Sequence, residues 1–578
     1  MNILDQKMKA EMEECKKRAR MAGLVFGDDT LEYVVTNQDL LELDPKVMIP
    51  TLYDYWVHDV EVRKNKWIYD VYPHNPYETV INTRPPISFY NQDNADWFNV
   101  VIFYHVLGHI DMFQNNIHFR QTWNDDFCGQ ALADKRLLAR IREELGEKKR
   151  FADYVIEFAL AIDNLVGFFP ELREADGEKS SEIFGAFSPK IDFYFGWFLR
   201  KHFEEKTINL KFYHDELERY SRFIKEHGKT IGEVKFFEDP RFLSKFPEFN
   251  TTFRKQKEKE KEQKPKPKDL FEHLLQNSEF LNKKENRWMQ EVIQIVRRTS
   301  LYFQPSIRTH ICHEGWASFW HERLFIADER MRGKETDYAK VDSGVALDPR
   351  IGINVYAVGR HLFEFIEDLA VKGKLSPDYQ LLKGIEPRRR YDQHRGEAFG
   401  KQVLFEARKY FNDQLLINFL SDEDFQDFVD RYRLWTVGMR PSRKQWNMAE
   451  LYIKSKSGKD YRRLLNRSLY HPPNLDFSGP KAKDGELYLN HVYEGRSLFT
   501  RHIKMVLIGL EFLWGKRVRL ETTEYEPVQP QDWWDWWRER FDPKYRKKRV
   551  LYTCEYKKVA RQVLEEKKEQ TQEEMELM

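Results

Sequence analysis

The chain has few cysteines and no long apolar run. Its four cysteines are widely scattered, without metal-ligand spacing, at Cys15, Cys128, Cys312 and Cys554. Such usage is typical of a reducing cytosol rather than of disulfide-stapled proteins. No apolar run approaches the ~18–20 residues that a membrane span needs, and the charged N-terminus lacks the apolar core of a signal peptide. We therefore expect a cytoplasmic protein without a membrane span.

The sequence also lacks a net charge and the common phosphate-binding and nucleophile motifs. Its 95 Lys and Arg residues balance its 94 Asp and Glu residues, leaving a formal net charge of +1. A balanced charge gives no global field that would attract nucleic acid, and we expect no such partner. There is no Walker phosphate loop, no GxGxxG after a predicted strand and no GxSxG elbow, which argues against P-loop, Rossmann and α/β-hydrolase enzymes.

What the chain has instead is length, aromatic side chains and helical periodicity. Its 578 residues are 41% hydrophobic and 15% aromatic, enough for roughly two to four domains with cores built from aromatic rings. Apolar residues recur at helical spacing through most of the chain, whereas residues 486–520 read as two strands around an amphipathic helix. We predict a mainly α fold: a large multi-helix body with short strands, plus a small C-terminal α/β module.

Composition divides the chain into five predicted segments. A charged run with two prolines between residues 254 and 268 cannot bury apolar surface, which indicates a linker or an exposed loop. Past a cluster of four tryptophans at Trp533 to Trp537, we expect a charged helical tail. The segments are an N-terminal helical half (1–253), the charged linker (254–268), a second helical half (269–480), the α/β module (481–525), and a Trp-rich segment with a charged tail (526–578).

The most informative segment is residues 313–321, which read HEGWASFWH. It interleaves a carboxylate and two imidazoles with three bulky aromatic side chains. On a helix, Glu314 and His321 lie within roughly 20° of each other and His310 about 40° away, so that polar groups are carried into an aromatic core. Buried ionisable groups are costly unless they are paired or bound to metal. The pattern therefore indicates a metal site or a buried polar network.

A second candidate is the pair His105 and His109, in the segment HVLGH. Histidines at i and i+4 share one helix face, the spacing that lets both bind one metal ion, as in HExxH zinc helices. Position 106 is Val, so the general base of that motif is absent. Gly108 costs about 1 kcal/mol relative to Ala in a helix interior, which suggests that something approaches the backbone closely there.

Glu314 and His321 supply ligand types that the histidine pair lacks. Two His and one Glu are a common zinc set with one position left for water. Seven residues span about 10 Å of helix, so we expect only one of Glu314 and His321 to bind the ion. We assign His105, His109 and Glu314 as metal ligands, and Glu314 has the alternative role of a base. We assign His321 as a proton donor or as a group that lies behind the ligands. Zinc is the first choice, with iron or manganese as alternatives; a structural polar network is the competing interpretation.

Glu78 is a third candidate base, within the predicted strand of residues 77–82. A carboxylate beside an apolar strand suits a buried role, and it suits an exposed edge position equally well. Asn354 and Tyr356 lie in the segment GINVYAVG. They either contribute polar contacts or simply belong to a glycine-bounded turn.

At these residues the chain resembles the SpoVR family (stage V sporulation protein R). The string EGWASFWH is specific by itself, and an ordered set of matching segments extends over roughly residues 10–525. The matching segments are YETVIN (77–82), HVLGHIDMFQNN (105–116), HEGWASFWH (313–321), GINVYAVG (352–359), Asn412 with Asp413, and a hairpin and helix at 485–499.

The resemblance implies a cytosolic protein associated with sporulation, specifically spore cortex formation, or with stress physiology in bacteria that do not sporulate. It also implies two partners, a PrkA-type serine kinase and a von Willebrand factor A-type protein. No biochemical activity is attached to the family, although its histidines and glutamates resemble a metal-dependent hydrolase site. We therefore predict such a site, with a non-enzymatic scaffold or regulatory partner of the two proteins as the alternative.

The chain departs from the family pattern near the predicted site. Residues 297–303 read RRTSLYF, without an acidic pair that is usual there. His313 stands where the family usually has Asn, Asp342 where it has His, and Val355 where it has Pro. If the missing acids bound metal or acted as the base, the activity of this copy would be altered or lost.

Overall fold

The fold is mainly α, as the helical periodicity predicts. The computed structural model of the protein describes residues 2–27, 29–36, 39, 78–123, 126–166, 188–204, 210–262, 267–345, 352–441, 449–477, 485–528 and 544–571. These residues contain 22 α-helices and 11 strands. The chain divides into two compact units, one formed by Met1–Asn164 with Lys283–Met578 and the other by Leu165–Asn282.

The first unit begins with four helices. Aspartates cap two of them, because Asp5 accepts a hydrogen bond from the N–H of Met8 and Asp126 accepts one from Gly129. The helices are α1 (Gln6–Met21), α2 (Asp96–Asn115), α3 (Phe127–Leu145) and α4 (Arg150–Leu160). Helix α2 is buried on every side from Phe98 to Phe113, as expected of a helix with apolar residues on all of its faces.

The second unit is a set of helices around a phenylalanine-rich core. Its helices are α5 (Pro189–Asp192), α6 (Leu199–Glu204), α7 (Leu210–His227), α8 (Lys229–Glu238), α9 (Pro240–Lys245), α10 (Phe249–Glu262) and α11 (Leu270–Asn277), with a π-helical turn at Phe193–Phe198. Tyr194 is fully buried, and the rings of Phe237 and Phe249 stack with centroids 5.2 Å apart. Residues 254–262, part of the predicted linker, are helical because Lys, Glu and Gln are strong helix formers.

The first unit resumes with eleven helices, of which α13 carries the nine-residue motif. They are α12 (Arg287–Arg308), α13 (His310–Ala327), α14 (Glu335–Val345), α15 (Val355–Val371), α16 (Pro377–Gln380), α17 (Ile385–Arg390), α18 (Glu397–Tyr410), α19 (Asp413–Asn418), α20 (Asp422–Tyr432), α21 (Gly458–Ser468) and α22 (Thr500–Trp514). Within the described part of the chain, none of the helices combines the length and the apolar character needed to cross a membrane.

Two close helix crossings place α13 in the core of the first unit. A Cβ at Gly108 of α2 would come within 2.7 Å of the Cα of Ala317 in α13. A Cβ at Gly315 of α13 would come within 2.4 Å of the Cα of Gly359 in α15. The close approach that Gly108 suggests is confirmed. Because the backbones nearly touch, polar side chains from α2 and α13 lie within a few ångströms of one another.

Short strands complete the N-terminal part of the first unit. The strands β1 (Asn2–Ile3), β2 (Leu31–Val35), β3 (Glu78–Ile81) and β4 (Ile87–Asn91) form one sheet in the order β1-β2-β4-β3. The strand predicted over residues 77–82 corresponds to β3. The Cα of Glu78 pairs with that of Tyr90, and its side chain lies outside the described part of the structure. A separate two-stranded sheet pairs β5 (Thr436–Pro441) with β6 (Ala449–Ser455).

The predicted C-terminal α/β module is confirmed and extends further than the sequence indicates. Its five strands have the order β11-β10-β9-β8-β7. Strands β8 and β9 are parallel, and α22 connects them, because parallel neighbours need a crossover connection. The strands are β7 (Asn474–Asp476), β8 (Leu487–Val492), β9 (Val518–Pro527), β10 (Lys544–Glu555) and β11 (Lys558–Thr571).

The prediction of a helical tail is wrong, because β10 and β11 form an antiparallel hairpin. Residues 550–554 read VLYTC, a run of β-branched and aromatic side chains that favours a strand over a helix. Tyr556 and Lys557 form the turn with φ values of 52° and 61°, as two-residue hairpin turns require. The Trp533–Trp537 cluster lies outside the described residues.

Candidate metal centre

Helices α2 and α13 bring two imidazoles and one carboxylate together. His105 and His109, one turn apart on α2, direct their Nε2 atoms to within 2.9 Å of each other. The Oε2 atom of Glu314 on α13 lies 3.6 Å from Nε2 of His105 and 3.4 Å from Nε2 of His109. All three side chains are buried or nearly so. The convergence predicted for these residues, just over two hundred positions apart in the sequence, is therefore present in the structure.

The three donor atoms have the spacing of ligands around a single ion. A triangle with edges of 2.9, 3.4 and 3.6 Å has a circumscribed radius of about 1.9 Å, slightly shorter than the Zn–N and Zn–O bonds of about 2.0–2.2 Å. His105, His109 and Glu314 could therefore hold one ion, and a set of two His and one Glu commonly leaves a fourth position for water. The donor set and its geometry therefore fit a divalent ion such as zinc.

The protonation states also suit metal ligation. Burial lowers the pKa of His109 to about 4, against the opposing attraction of Glu314, so its imidazole is neutral at pH 7. Burial disfavours ionisation of Glu314, but the surrounding imidazoles of His105, His109 and His313 outweigh it and hold the pKa of Glu314 well below its ordinary value. Metal ligands must be deprotonated, and both groups already are.

Two atoms of the group are buried without a hydrogen bond. Among the described residues, neither Nδ1 of His109 nor Oε2 of Glu314 has a hydrogen-bond partner. Buried polar atoms are almost always satisfied, so each exception requires an explanation. An ion between Glu314 and the two imidazoles would satisfy the carboxylate oxygen directly.

His321 contacts the opposite edge of the His105 ring. The Nδ1 atoms of His105 and His321 are 2.9 Å apart, and Nε2 of His321 lies 3.7 Å from Oδ1 of Asp342. Asp342 in turn pairs with Arg360 at 3.1 Å. Burial lowers the pKa of His321 to about 4, although Asp342 opposes this shift. His321 thus lies behind a candidate ligand rather than beside Glu314, in agreement with the helical spacing of the two residues.

A small pocket opens beside His105 and His321. Its volume is about 80 Å³, enough for a small apolar group. Its polar end consists of His105, His321 and Asp342, and its remaining walls are apolar or aromatic: Phe98, Val101, Ile102, Tyr338, Val341, Val345 and Tyr356. Concave apolar pockets with a few convergent polar groups are typical of ligand sites.

A buried hydrogen bond from Trp316 to Asp111 holds α13 against α2. Oδ2 of Asp111 accepts a hydrogen bond from Nε1 of Trp316 at 2.9 Å, and Oδ1 accepts one from the N–H of Val25 at 2.7 Å. Burial raises the pKa of Asp111 to about 6, partly offset by the nearby charge of Arg408. The side chain of Trp316 therefore helps to position the polar residues around it.

Several residues near the site were not predicted from the sequence to belong to it. Arg360 carries no local motif that would identify it, and Asp342 stood out only as a departure from the family pattern; Asp342 faces His321 and pairs with Arg360. His313 and His310 belong to a second group with Glu314, and their positions one and four residues before it were a usable signal. Asn354 caps α15 by accepting hydrogen bonds from the N–H groups of Tyr356 and Ala357, which is a structural role.

The comparisons with known proteins cover the residues of this centre. The family model described as SpoVR like protein matches residues 3–470. The uncharacterized protein YcgB of Escherichia coli (strain K12) is 23% identical over 513 residues, which cover 84% of this chain and 86% of that protein. No solved structure matches the chain. The family resemblance drawn from the motifs is confirmed.

Proposed function

The chain belongs to the SpoVR family, and from this premise we propose that it is a metalloprotein with a hydrolase-type site. His105, His109 and Glu314 would hold one divalent ion, with zinc as the first choice and iron or manganese as alternatives. The observation that carries the proposal is the convergence of three donor atoms at 2.9–3.6 Å from one another. A divalent ion bound there would polarise a carbonyl and lower the pKa of a coordinated water.

The hydrogen-bond chain behind His105 favours the tautomer that metal ligation requires. Asp342 faces Nε2 of His321, which favours a proton on that nitrogen and leaves Nδ1 as an acceptor. Nδ1 of His105 then donates to Nδ1 of His321, and Nε2 of His105 keeps its lone pair towards Glu314. Ligating histidines are commonly oriented in this way through their second nitrogen. Nε2 of His105 and Oε2 of Glu314 are then two acceptors 3.6 Å apart, which repel one another unless a cation lies between them.

The pocket and the chain of acids and imidazoles suggest how a substrate would be handled. A small apolar group would bind among the apolar walls, which would exclude water and bring the adjacent carbonyl to the polar groups His105 and His321. A water molecule would add to the carbonyl and the C–N bond would break; His321 would accept the proton released by the water and return it to the leaving amine, and Asp342 would stabilise the imidazolium formed between the two transfers. A peptide, an amide or a cell-wall precursor bond suits this arrangement. Glu314 is the ligand in this scheme, and its alternative role is that of the base.

The cellular role that we propose follows the family. It is a cytoplasmic role in sporulation, through formation of the spore cortex, or in stress physiology. The proposed partners are a PrkA-type serine kinase and a von Willebrand factor A-type protein. A scaffold that binds these two proteins is the alternative to an enzyme. It is favoured by the departures from the family pattern near the site, at residues 297–303 and at Asp342.

Elemental analysis of the purified protein tests the metal site. We expect zinc, iron or manganese at one or more equivalents per chain, with at least one equivalent lost in a His105→Ala/His109→Ala double variant. His502→Gln, an exposed histidine on α22, is the matched control and should retain the metal. A wild-type protein that stays metal-free after incubation with each ion, while still binding its partners, would overturn the proposal and favour the scaffold.

A second experiment separates metal binding from hydrolysis. The metal-loaded protein is incubated with a library of amide and peptide substrates, and released amines are measured. We expect His321→Gln to keep the metal but lose most of the hydrolytic rate, since general acid catalysis typically contributes about 10²–10⁴-fold. A loaded protein that hydrolyses nothing, with a fully occupied site, would contradict the hydrolase assignment alone.

A further inference from the structure

The two carboxylate oxygens of Glu314 face two different pairs of imidazoles. Oε2 faces His105 and His109, as described above, whereas Oε1 lies 3.6 Å from Nε2 of His313 and 3.9 Å from Nε2 of His310. Donor atoms of His310, His313 and Glu314 all lie within 4.8 Å of one another. We propose that Glu314 is a bridging carboxylate and that His310 and His313 hold a second divalent ion. This inference rests on the proposed metal site.

The hydrogen bonds of Thr309 favour the tautomer of His313 that a metal requires. The Thr309 hydroxyl donates its single proton to the carbonyl oxygen of Pro305 at 2.8 Å. Its oxygen, 3.3 Å from Nδ1 of His313, can then only accept from that nitrogen. The proton of a neutral His313 is thereby placed on Nδ1, and the lone pair of Nε2 faces the Glu314 carboxylate. Two acceptors facing each other require a cation between them.

The first turn of α13 is held in place for this arrangement. Asp413, at the start of α19, accepts a hydrogen bond from the N–H of Cys312 at 2.9 Å. An anion at a helix N-terminus satisfies donors that have no partner within the helix. His310 and Glu314 are one turn apart on the same helix, as ligands of one ion commonly are. The turn that carries both histidines is thus fixed by a neighbouring helix.

The two groups differ in exposure, which predicts a difference in affinity. The side chain of His310 is 55% exposed, whereas those of His105 and His109 are 8% and 7% exposed. The rings of His109 and His313 are adjacent, with centroids 5.3 Å apart. A second ion would therefore enter from solvent beside His310, exchange faster than the first, and lie close to it. Two-metal sites with ions about 3.5–4 Å apart are typical of phosphatases, nucleases and aminopeptidases.

Asn is a convenient test substitution at His313, because it is uncharged and smaller than His. The competing interpretation is a protonated His313 paired with Glu314, in which a proton takes the place of the second ion.

Metal stoichiometry distinguishes these possibilities. Chelator-stripped protein is titrated with Zn²⁺, and bound zinc is measured after removal of the free ion. We expect about two equivalents for the wild-type protein and for His502→Gln, and about one for His313→Asn and for His310→Ala. The His105→Ala/His109→Ala variant should lose the tighter equivalent. Circular dichroism checks that each variant is folded, so that a lost equivalent can be attributed to a lost ligand.

The other outcomes separate this inference from the proposed function. One wild-type equivalent that is lost only in His105→Ala/His109→Ala would overturn the second ion and leave the first. Two equivalents that persist in His313→Asn and His310→Ala would also overturn it. A wild-type protein that binds no zinc, manganese or iron would overturn both proposals. With Mn²⁺ as the probe, spin coupling between two bridged ions should broaden the wild-type signal relative to His313→Asn.

Discussion

Gly315 and Gly359 are in backbone contact: a Cβ at Gly315 would lie 2.4 Å from both the Cα and the carbonyl carbon of Gly359. This crossing of α13 and α15 determines how deeply Glu314 enters the space beside α2. The neighbour is backbone rather than a flexible side chain, so no small adjustment can accommodate an added methyl group.

Gly315→Ala should therefore destabilise the protein by about 3 kcal/mol or more, the upper end of the cost of overpacking a core. Urea-induced unfolding measures the effect. Gly344→Ala is the matched control, because Gly344 is also helical and a Cβ there would meet nothing within 4 Å. It should be neutral or stabilising by up to about 1 kcal/mol. Equal effects of the two substitutions would contradict the backbone contact.

Removal of the metal should lower the stability of the first unit. A ligand that binds only the folded state adds about 2.7 kcal/mol at a free concentration one hundred times its Kd. Chelation should thus lower the Tm of the wild-type protein by several degrees. Adding zinc back should restore the original Tm. The same treatment should shift the Tm of His105→Ala/His109→Ala much less, because that variant lacks the tighter of the two proposed ions. An identical Tm shift in that variant would show that the ion binds elsewhere.

Asp342→Asn should weaken the support of His321. Asp342 pairs with Arg360 at 3.1 Å and faces Nε2 of His321 at 3.7 Å. Without the charge of Asp342, Arg360 is paired with Glu322 and Glu364. The free energy of unfolding should fall by about 1–2 kcal/mol, a modest loss because Asp342 is partly exposed to solvent. Thermal unfolding measures this cost. In a double-mutant cycle, Arg360→Met should remove most of the effect of Asp342→Asn; additive effects would argue against the pairing.

His491 should make the C-terminal module less stable in acid. Burial, together with the charge of Arg549, lowers the pKa of His491 to about 4. Between pH 6.5 and 4 the unfolded chain therefore binds the proton and the folded module does not, so that stability falls as the pH falls through this range. Binding of one proton by the unfolded chain changes the free energy of unfolding by at most about 1.4 kcal/mol per pH unit.

The measurement is the free energy of unfolding at a series of pH values. His491→Gln should have a shallower dependence between pH 6.5 and 4 than the wild-type protein, whereas His502→Gln should not. The chelated form is used, so that metal binding does not contribute. A slope that is unchanged in His491→Gln would show that other groups dominate acid unfolding.

Local sequence was sufficient for those parts of the protein that depend on neighbours along the chain. The four-residue spacing of His105 and His109 places both imidazoles on one helix face wherever the helix lies. The glycine at position 108 indicated a close approach before the approaching helix was known. Helical periodicity likewise predicted the mainly α body, and β8, α22 and β9 were recognisable from their apolar patterns.

Other features were decided by contacts that no local pattern contains. Charge density suggested a helical tail, but pairing with β9 supplies hydrogen bonds and a buried face that make residues 544–571 a hairpin. Asp342 and Arg360 acquire their role only because α14 and α15 pack beside α13. The sequence by itself determined which side chains could bind a metal. The helix crossing at Gly108 decided which of them meet, since the contact of α2 with Ala317 of α13 brings His105 and His109 within ligand distance of Glu314.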